Sequence, residues 1–357
     1  MQSQGKSELV WLTALRGAAA LWVVLLHSQS LEGIDYGVCH SLKLFIARGW
    51  LGVDLFFLLS GFVLSYSYAD KMKTFHWASA KSFWMKRFAR VYPTHLAVLL
   101  LYIPLVVPAL MTGILSDPEG QFTASKFFLQ VSLLHGIGMF ESTGWNHVSW
   151  AVSSEFFVYL LFPFIAVYLL RVVGRLRSTA VAGAILAIGI LLSKWVGQPD
   201  QYQLPFAYTW FRVLSEFLLG SCLFGFYRTL TPSRGYAGVA LLGVAATVLH
   251  SWIDNNFYDF LYLIYFMMIV LGLALTPARR KLPLIGALGE MSYSLYLIHA
   301  MFIILCNQLY RRVSFFDNCM WGRLTLFLGL SMAAAWVLYR FVENPMRRKI
   351  IRRFSRG

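Results

Sequence analysis

Charge is scarce in this sequence: only 13% of its 357 residues are Asp, Glu, Lys or Arg. A soluble domain keeps roughly a quarter of its residues charged to solvate its surface, so this composition excludes a water-facing exterior over most of the chain. Acidic residues are the scarcer sign, 16 Asp and Glu against 31 Lys and Arg, which leaves a formal charge of +15. That excess does not mark a nucleic-acid binder, because a mean hydropathy of +0.62 leaves no polar, basic domain to present it. The four cysteines, Cys39, Cys222, Cys306 and Cys319, lack metal-ligand spacing, and no metal site is expected. A Gly-x-Ser-x-Gly elbow, a His-Glu-x-x-His motif and a phosphate-cradling Gly-rich loop are all missing, which removes the usual parts of hydrolases, zinc proteases and nucleotide-driven pumps. Internal repeats and Gly/Ser linkers are missing as well.

What is present is apolar sequence in long runs. A helix crosses the hydrocarbon core with about 20 mostly apolar residues, and ten candidates qualify, at roughly 10–31, 49–69, 94–115, 148–170, 179–197, 209–228, 236–253, 258–275, 291–310 and 322–341. The run Phe127–Phe140 is too short to span and reads as a re-entrant or interfacial helix. The expected fold is therefore all-α and polytopic: a membrane domain over residues 9–345 and a basic cytoplasmic tail over 346–357. The leader before the first span lacks a small-residue cleavage site, so that span reads as a retained helix.

Lys and Arg in short loops mark the cytoplasmic side. With the N-terminus inside, the inner segments carry +18, the outer segments −2 and the spans −1. The alternation holds for an even number of crossings and places both termini in the cytoplasm, in a cell inner membrane. Cys39 and Cys319 both fall in outer loops, where pairing is open; free thiols are the expectation.

Ionisable groups inside spans cost at least ~2.5 kcal/mol each on insertion scales, so each is a functional candidate. Arg16 and His27 share the first span, roughly 20° apart around the helix and about 16 Å apart along it. One face then holds a cation on the inner side and an imidazole near the outer side. His is the usual general base near neutral pH, and Arg16 suits an anionic group or a charged reacting oxygen; the plainer reading has Arg16 reaching inward to the interface and His27 bonding a carbonyl. Arg87 and Arg90, in Lys86-Arg87-Phe88-Ala89-Arg90-Val91-Tyr92-Pro93, lie on one side of a helix and suit a phosphate, or serve only as a topology signal and headgroup anchor. Glu155 opens the fourth span just inside the outer surface, where the helix dipole is a sufficient reason for an acid. Arg212 and Glu216, four apart, read as a structural pair, and Asp54 and His299 as architectural. These residues alone leave two readings, an enzyme using His27 and a transporter of a polar glycan or acylated metabolite. A regulatory protein without activity is a third.

These segments, in this order, resemble the acyltransferase 3 family of integral-membrane acyltransferases, which modify sugars of lipopolysaccharide, peptidoglycan and exopolysaccharides and some small molecules. The resemblance runs from about Leu12 to Pro345. It rests on Leu15-Arg16-Gly17-Ala18 through His27; Gly52-Val53-Asp54-Leu55-Phe56-Phe57-Leu58-Leu59-Ser60-Gly61-Phe62; Arg87-x-x-Arg90 before Val91-Tyr92-Pro93; and Trp150 through Glu155. The later segments are Arg212-x3-Glu216-Phe217-Leu218-Leu219-Gly220, Ser292-Tyr293-Ser294-Leu295-Tyr296-Leu297-Ile298-His299 and Glu343-Asn344-Pro345.

The resemblance implies a cytoplasmic acyl-CoA donor, acetyl-CoA being the expected one, with no permanently bound cofactor, and an acceptor hydroxyl on a sugar or lipid-linked glycan at the outer side. Arg87 and Arg90 would then dock the donor phosphates, and Arg16 its pantetheine arm or thioester carbonyl. His27 would take the hydroxyl proton directly or after holding the acyl group, while Glu155 would orient His27 or bind the acceptor. Transfer to a distant polymer would need a separate extracytoplasmic transferase; a lipid-linked unit at the membrane is the expected acceptor. The outer loop at 116–147, with Trp145, Asn146 and His147, is the expected acceptor-facing surface.

Overall fold

The computed structural model describes residues 9–36, 39–138, 144–169, 175–195, 209–253, 259–277, 283–313 and 319–354. Among them the regular elements are helices and no strand occurs. In chain order the α-helices are α1 (Val10–His27), α2 (His40–Ala47), α3 (Leu51–Tyr68), α4 (Trp77–Met111), α5 (Ala124–Val131), α6 (Trp150–Leu169), α7 (Arg175–Trp195), α8 (Thr209–Tyr227), α9 (Tyr236–Ser251), α10 (Leu261–Leu275), α11 (Pro283–Glu290), α12 (Ser292–Tyr310), α13 (Met320–Leu338) and α14 (Asn344–Phe354).

Each of the ten apolar runs falls on one of these helices. Five stretches, Val10–Ser30, Trp77–Met111, His147–Leu169, Ser292–Tyr310 and Met320–Phe354, have the length and apolarity to cross a membrane, and three shorter apolar helices accompany them. The protein is thus a helical membrane protein: in lipid the backbone must satisfy its own hydrogen bonds, which a helix does within the segment. Large apolar side chains such as Leu191, Leu241 and Trp336 are exposed on the outside, while Asp54, Glu216, His299 and Glu343 are buried inside. This distribution is the reverse of a soluble protein's and fits a hydrocarbon solvent.

The third run differs from its expected limits. α4 begins at Trp77, so the basic cluster and the span are one helix of 35 residues carrying Pro93, Pro104 and Pro108. At 1.5 Å per residue it is roughly 52 Å long, well beyond a hydrocarbon core of about 30 Å. The expected short helix at 127–140 is also revised. It starts earlier, at Ala124, where Thr123 accepts from the Lys126 N–H, and ends at Val131; residues 132–138 form turns, and 139–140 lie outside the described residues. The turn backbone is held by serines at the head of α6. Ser153 Oγ donates to the Leu133 carbonyl at 2.6 Å and accepts from the Gly136 N–H at 3.0 Å, and Ser154 donates to the Gly136 carbonyl. Non-helical backbone is thereby satisfied inside protein, as an apolar surround requires. The tail after Pro345 continues as α14 to Phe354.

α3 and α8 form the closest pair. A Cβ at Gly61 would overlap the Phe217 carbonyl oxygen and one at Gly220 the Leu58 carbonyl oxygen, so both glycines are needed for the helices to touch backbone to backbone. The same pair carries a buried charge network: Arg212 on α8 bonds Asp54 on α3 and, at 3.2 Å, Glu216 one turn along, and stacks over Trp50 at 5.2 Å. The Arg212–Glu216 pairing matches the i,i+4 expectation, and Asp54 is its third member.

Candidate functional site

α1, α3, α4, α6 and α12 enclose a cavity of about 110 Å³ whose lining includes Arg16, Ser60, Arg87, Arg90, Glu155 and Tyr296. Four of the five site residues singled out in the sequence therefore meet in one place, from three helices distant in the chain. His27 is not among the lining residues.

Each charged group is held differently. Arg90 pairs at 3.3 Å with Glu343, a buried carboxylate that also accepts from Ser294 Oγ at 2.7 Å. Arg87 lies between the rings of Phe83 and Tyr159, 5.8 Å from each centroid, and its Nε is buried with no hydrogen-bond partner among the described residues. Glu155 accepts from Ser60 Oγ. The cavity thus carries three cations and one carboxylate, with Arg90 already neutralised, and favours an anionic or strongly polar occupant. Pro93 inside α4 cannot donate to the ladder, and nearby Tyr293 donates its hydroxyl to the Val91 carbonyl at 2.8 Å.

Glu155 is placed differently from its sequence reading. It lies five residues into α6 and shares the cavity of the Arg87/Arg90 cluster, rather than facing the outer loops beside His27. The serines before it occupy the head of the helix and bond the 132–138 turns.

His27 belongs to a second cluster. Its ring centroid is 5.0 Å from His299 on α12 and 5.5 Å from His147, which sits just before α6. A carbonyl only accepts, so His27 Nδ1, 2.9 Å from the Val23 carbonyl, carries the proton. His299 Nδ1, 3.2 Å from the Leu295 carbonyl, is protonated for the same reason. The 3.3 Å contact between His299 Nε2 and His27 Nδ1 then sets an acceptor against a donor. His27 is left with its lone pair on Nε2, the arrangement of a base. His299, expected to be architectural, is the residue nearest to His27 in this cluster and fully buried. Its chain signal is weak: a lone histidine in an apolar helix reads the same whether it packs or orients.

Beyond the histidines lies a second cavity, the outer one in the orientation expected from the sequence, of about 360 Å³, whose lining includes Ser30, Tyr102, Asp117, Gln121, Trp145 and His147. Of the three residues expected to face an acceptor, Trp145 and His147 line it. Asn146 does not: it is buried, with its side-chain amide donating to the Leu297 carbonyl at 3.0 Å. The hydroxyl of Tyr102 is buried without a partner among the described residues. Tyr296 joins the two regions, lining the inner cavity while its ring lies 6.0 Å from His299.

Past His27 and His299, the C-terminal ends of α1 and α12 are clamped together. Asn307 bonds the Ser30 carbonyl at 3.0 Å and the Glu32 N–H at 2.9 Å, and Arg311 pairs with the Glu32 carboxylate. That guanidinium holds the Glu32 carboxyl below its ordinary pKa.

A family model for an acyltransferase domain matches residues 9–340. Acyltransferase MdmB of Streptomyces mycarofaciens is 29% identical, over 96% of this chain and 92% of that protein. O-acetyltransferase OatA of Staphylococcus aureus is 23% identical over 96% of this chain and 58% of its own length. Peptidoglycan O-acetyltransferase OatA of Listeria monocytogenes is 24% identical over 87% of this chain and 53% of its own length. The chain thus spans little more than half of either OatA protein. No solved structure matches it.

Proposed function

The chain belongs to the acyltransferase 3 family, and from that premise we propose that it moves an acetyl group from acetyl-CoA on the cytoplasmic side to a hydroxyl of a sugar or lipid-linked glycan at the outer side of the membrane. Its ten apolar runs each cross the bilayer, with both termini inside. Two relatives named as O-acetyltransferases support acetyl as the group and a hydroxyl as the acceptor. The family also sets aside the transporter reading, which rested on polar residues that an enzyme uses equally well.

The observation that supports the reading is the succession of polar groups from the arginine cavity, through Tyr296 and the three imidazoles, to a second cavity lined by His147. The donor arm enters beside Arg87 and Arg90 and is held by Arg16, with Glu155 in the wall of the same cavity. At about 110 Å³ the cavity admits the acyl end of a donor and little more. The acceptor enters from the outer cavity past His147, with Trp145 and Tyr102 as its contacts. His27 Nε2 takes the proton as the hydroxyl oxygen bonds to the thioester carbonyl carbon, the carbon–sulfur bond breaks, and the sulfur leaves as the thiol with that proton.

Protein reconstituted with radiolabelled acetyl-CoA and a membrane glycolipid extract tests this. A general base contributes about 10²–10⁴ in rate, so His27→Ala lowers label transfer at least a hundredfold. Undiminished transfer by a folded His27→Ala variant would remove the base, and no donor turnover by the wild type would remove the donor.

A further inference from the structure

The inner cavity is far smaller than the ~300–1,000 Å³ of sites that enclose a whole organic ligand, so the bulk of a coenzyme thioester must lie outside it. Arg87 and Arg90 are poorly placed for the outlying part. Both line the small cavity, Arg90 is paired with Glu343, and Arg87 is packed between two rings.

A larger groove lies directly beside them. It has a volume of about 640 Å³ and is lined by Arg340, Asn344, Pro345, Arg348, Lys349, Arg352 and Arg353, five cations and no acid. Apart from Arg340, just before the helix, the residues fall in one stripe of α14: 344/345, 348/349 and 352/353 repeat every four positions, so Arg348 stands one turn from Arg352 and Lys349 one turn from Arg353. Like charges at this spacing oppose each other within the helix, a cost that a bound polyanion removes. The groove lies next to the cavity wall: α14 packs on α4, and Glu343, which pairs with Arg90 of that wall, immediately precedes Asn344 of the groove.

The lengths also agree. From Glu343 to Arg352 is nine residues, about 13 Å along a helix. A pantetheine arm has about a dozen backbone atoms, four peptide lengths or on the order of 14 Å extended. A thioester in the cavity therefore sets its phosphates against the far half of α14.

Building on the donor reading above, we propose that the basic stripe of α14 is the docking site for the phosphorylated nucleotide end of the donor, a 3′-phosphorylated adenosine diphosphate, and that Arg87 and Arg90 receive only the arm. The guanidinium groups suit bidentate capture of phosphate oxygens.

The test uses the full chain in nanodiscs of neutral phosphatidylcholine, with 3′-phospho-ADP as probe and calorimetry as readout. The wild type binds the probe with an affinity that falls steeply with salt. The double variant Arg348→Gln/Arg352→Gln loses at least tenfold in affinity, and Arg348→Lys/Arg352→Lys, which keeps the charge but not the bidentate fork, loses less than the Gln variant. In parallel, the kcat/KM preference for acetyl-CoA over acetyl-pantetheine, which has no phosphate, collapses in the Gln variant. Equal probe affinity in wild type and a monodisperse Gln variant overturns the proposal, as does a wild type that does not bind the probe. Loss of co-purifying phosphatidylglycerol from the Gln variant, with probe affinity unchanged, assigns the stripe to lipid phosphate and equally overturns it. Probe binding that the Gln variant weakens, without label transfer from acetyl-CoA, supports the phosphate site while striking only the donor reading.

Discussion

His299 commits one ring nitrogen to the Leu295 carbonyl and turns the other toward His27. It thereby adds a second acceptor to the Nδ1 proton that the Val23 carbonyl already holds, and steadies the His27 ring with its lone pair on Nε2. A base whose tautomer is held by a second group loses rate, not binding, when that group is removed. His299→Phe fills the same buried space without an acceptor nitrogen, and is expected to lower kcat for acetyl transfer about tenfold or more with the KM for donor unchanged. His299→Gln, which can still accept from His27, recovers part of the loss. Steady-state kinetics on the two variants, with unfolding midpoints as control, separate orientation from packing; a fall in stability with kcat per folded molecule unchanged would return His299 to an architectural role.

At the scale of elements, the charge network of Arg212, Asp54 and Glu216 and the glycine contact at Gly61 and Gly220 serve one purpose, to hold α3 against α8. α3 in turn supplies Ser60, which fixes Glu155 in the cavity. Breaking a buried network by removing one member costs about 3–5 kcal/mol, because the remaining charges lose their partner, whereas replacing all its members with neutral groups costs far less. Arg212→Met should lower the unfolding midpoint sharply in detergent, and Asp54→Asn/Arg212→Met/Glu216→Gln should restore most of it; a single variant as stable as the wild type would show that the network does not tie the helices. The helices themselves were legible in the sequence because hydropathy and element length are local properties, and the in-span charges were legible because lipid makes each conspicuous. The Arg212–Glu216 pair was readable at i,i+4, but Asp54 joins from another helix and carries no local sign of it. That Glu155 shares a cavity with Arg87 and Arg90 was not legible for a related reason. The helix dipole gave it a local explanation, while Ser153 and Ser154, uncharged and unremarkable in sequence, hold the 132–138 turns against the first turns of α6. Ser60 and His299 stayed hidden because their meaning lies in what packs opposite them.

For the whole molecule, the functional proposal depends on which end of the route faces which side. The basic groove of α14 and the arginine cavity lie at one end, and the outer cavity with Asp117 and Glu119 at the other. Lys and Arg outside the spans concentrate on the same side as the groove when the ten runs alternate, as a cytoplasmic face requires. The parity of the crossings is open to direct test, because α7, α9 and α10 are less apolar or shorter than the five clear spans. Cys39 is an exposed free thiol between α1 and α3, and Ser233 is exposed between α8 and α9. Five of the proposed crossings separate them, α3, α4, α6, α7 and α8, so they must lie on opposite sides; losing any one of the five puts them on the same side. In a Cys319→Ser background, an impermeant maleimide should label Cys39 in intact cells. In Cys39→Ser/Cys319→Ser/Ser233→Cys, the new thiol should react only in inverted vesicles. Labelling of both thiols from one side would break the alternation, and with it the assignment of donor and acceptor to opposite faces. Reactivity in the reverse sense would keep the ten crossings and invert the protein, placing the α14 groove where no cytoplasmic donor could reach it.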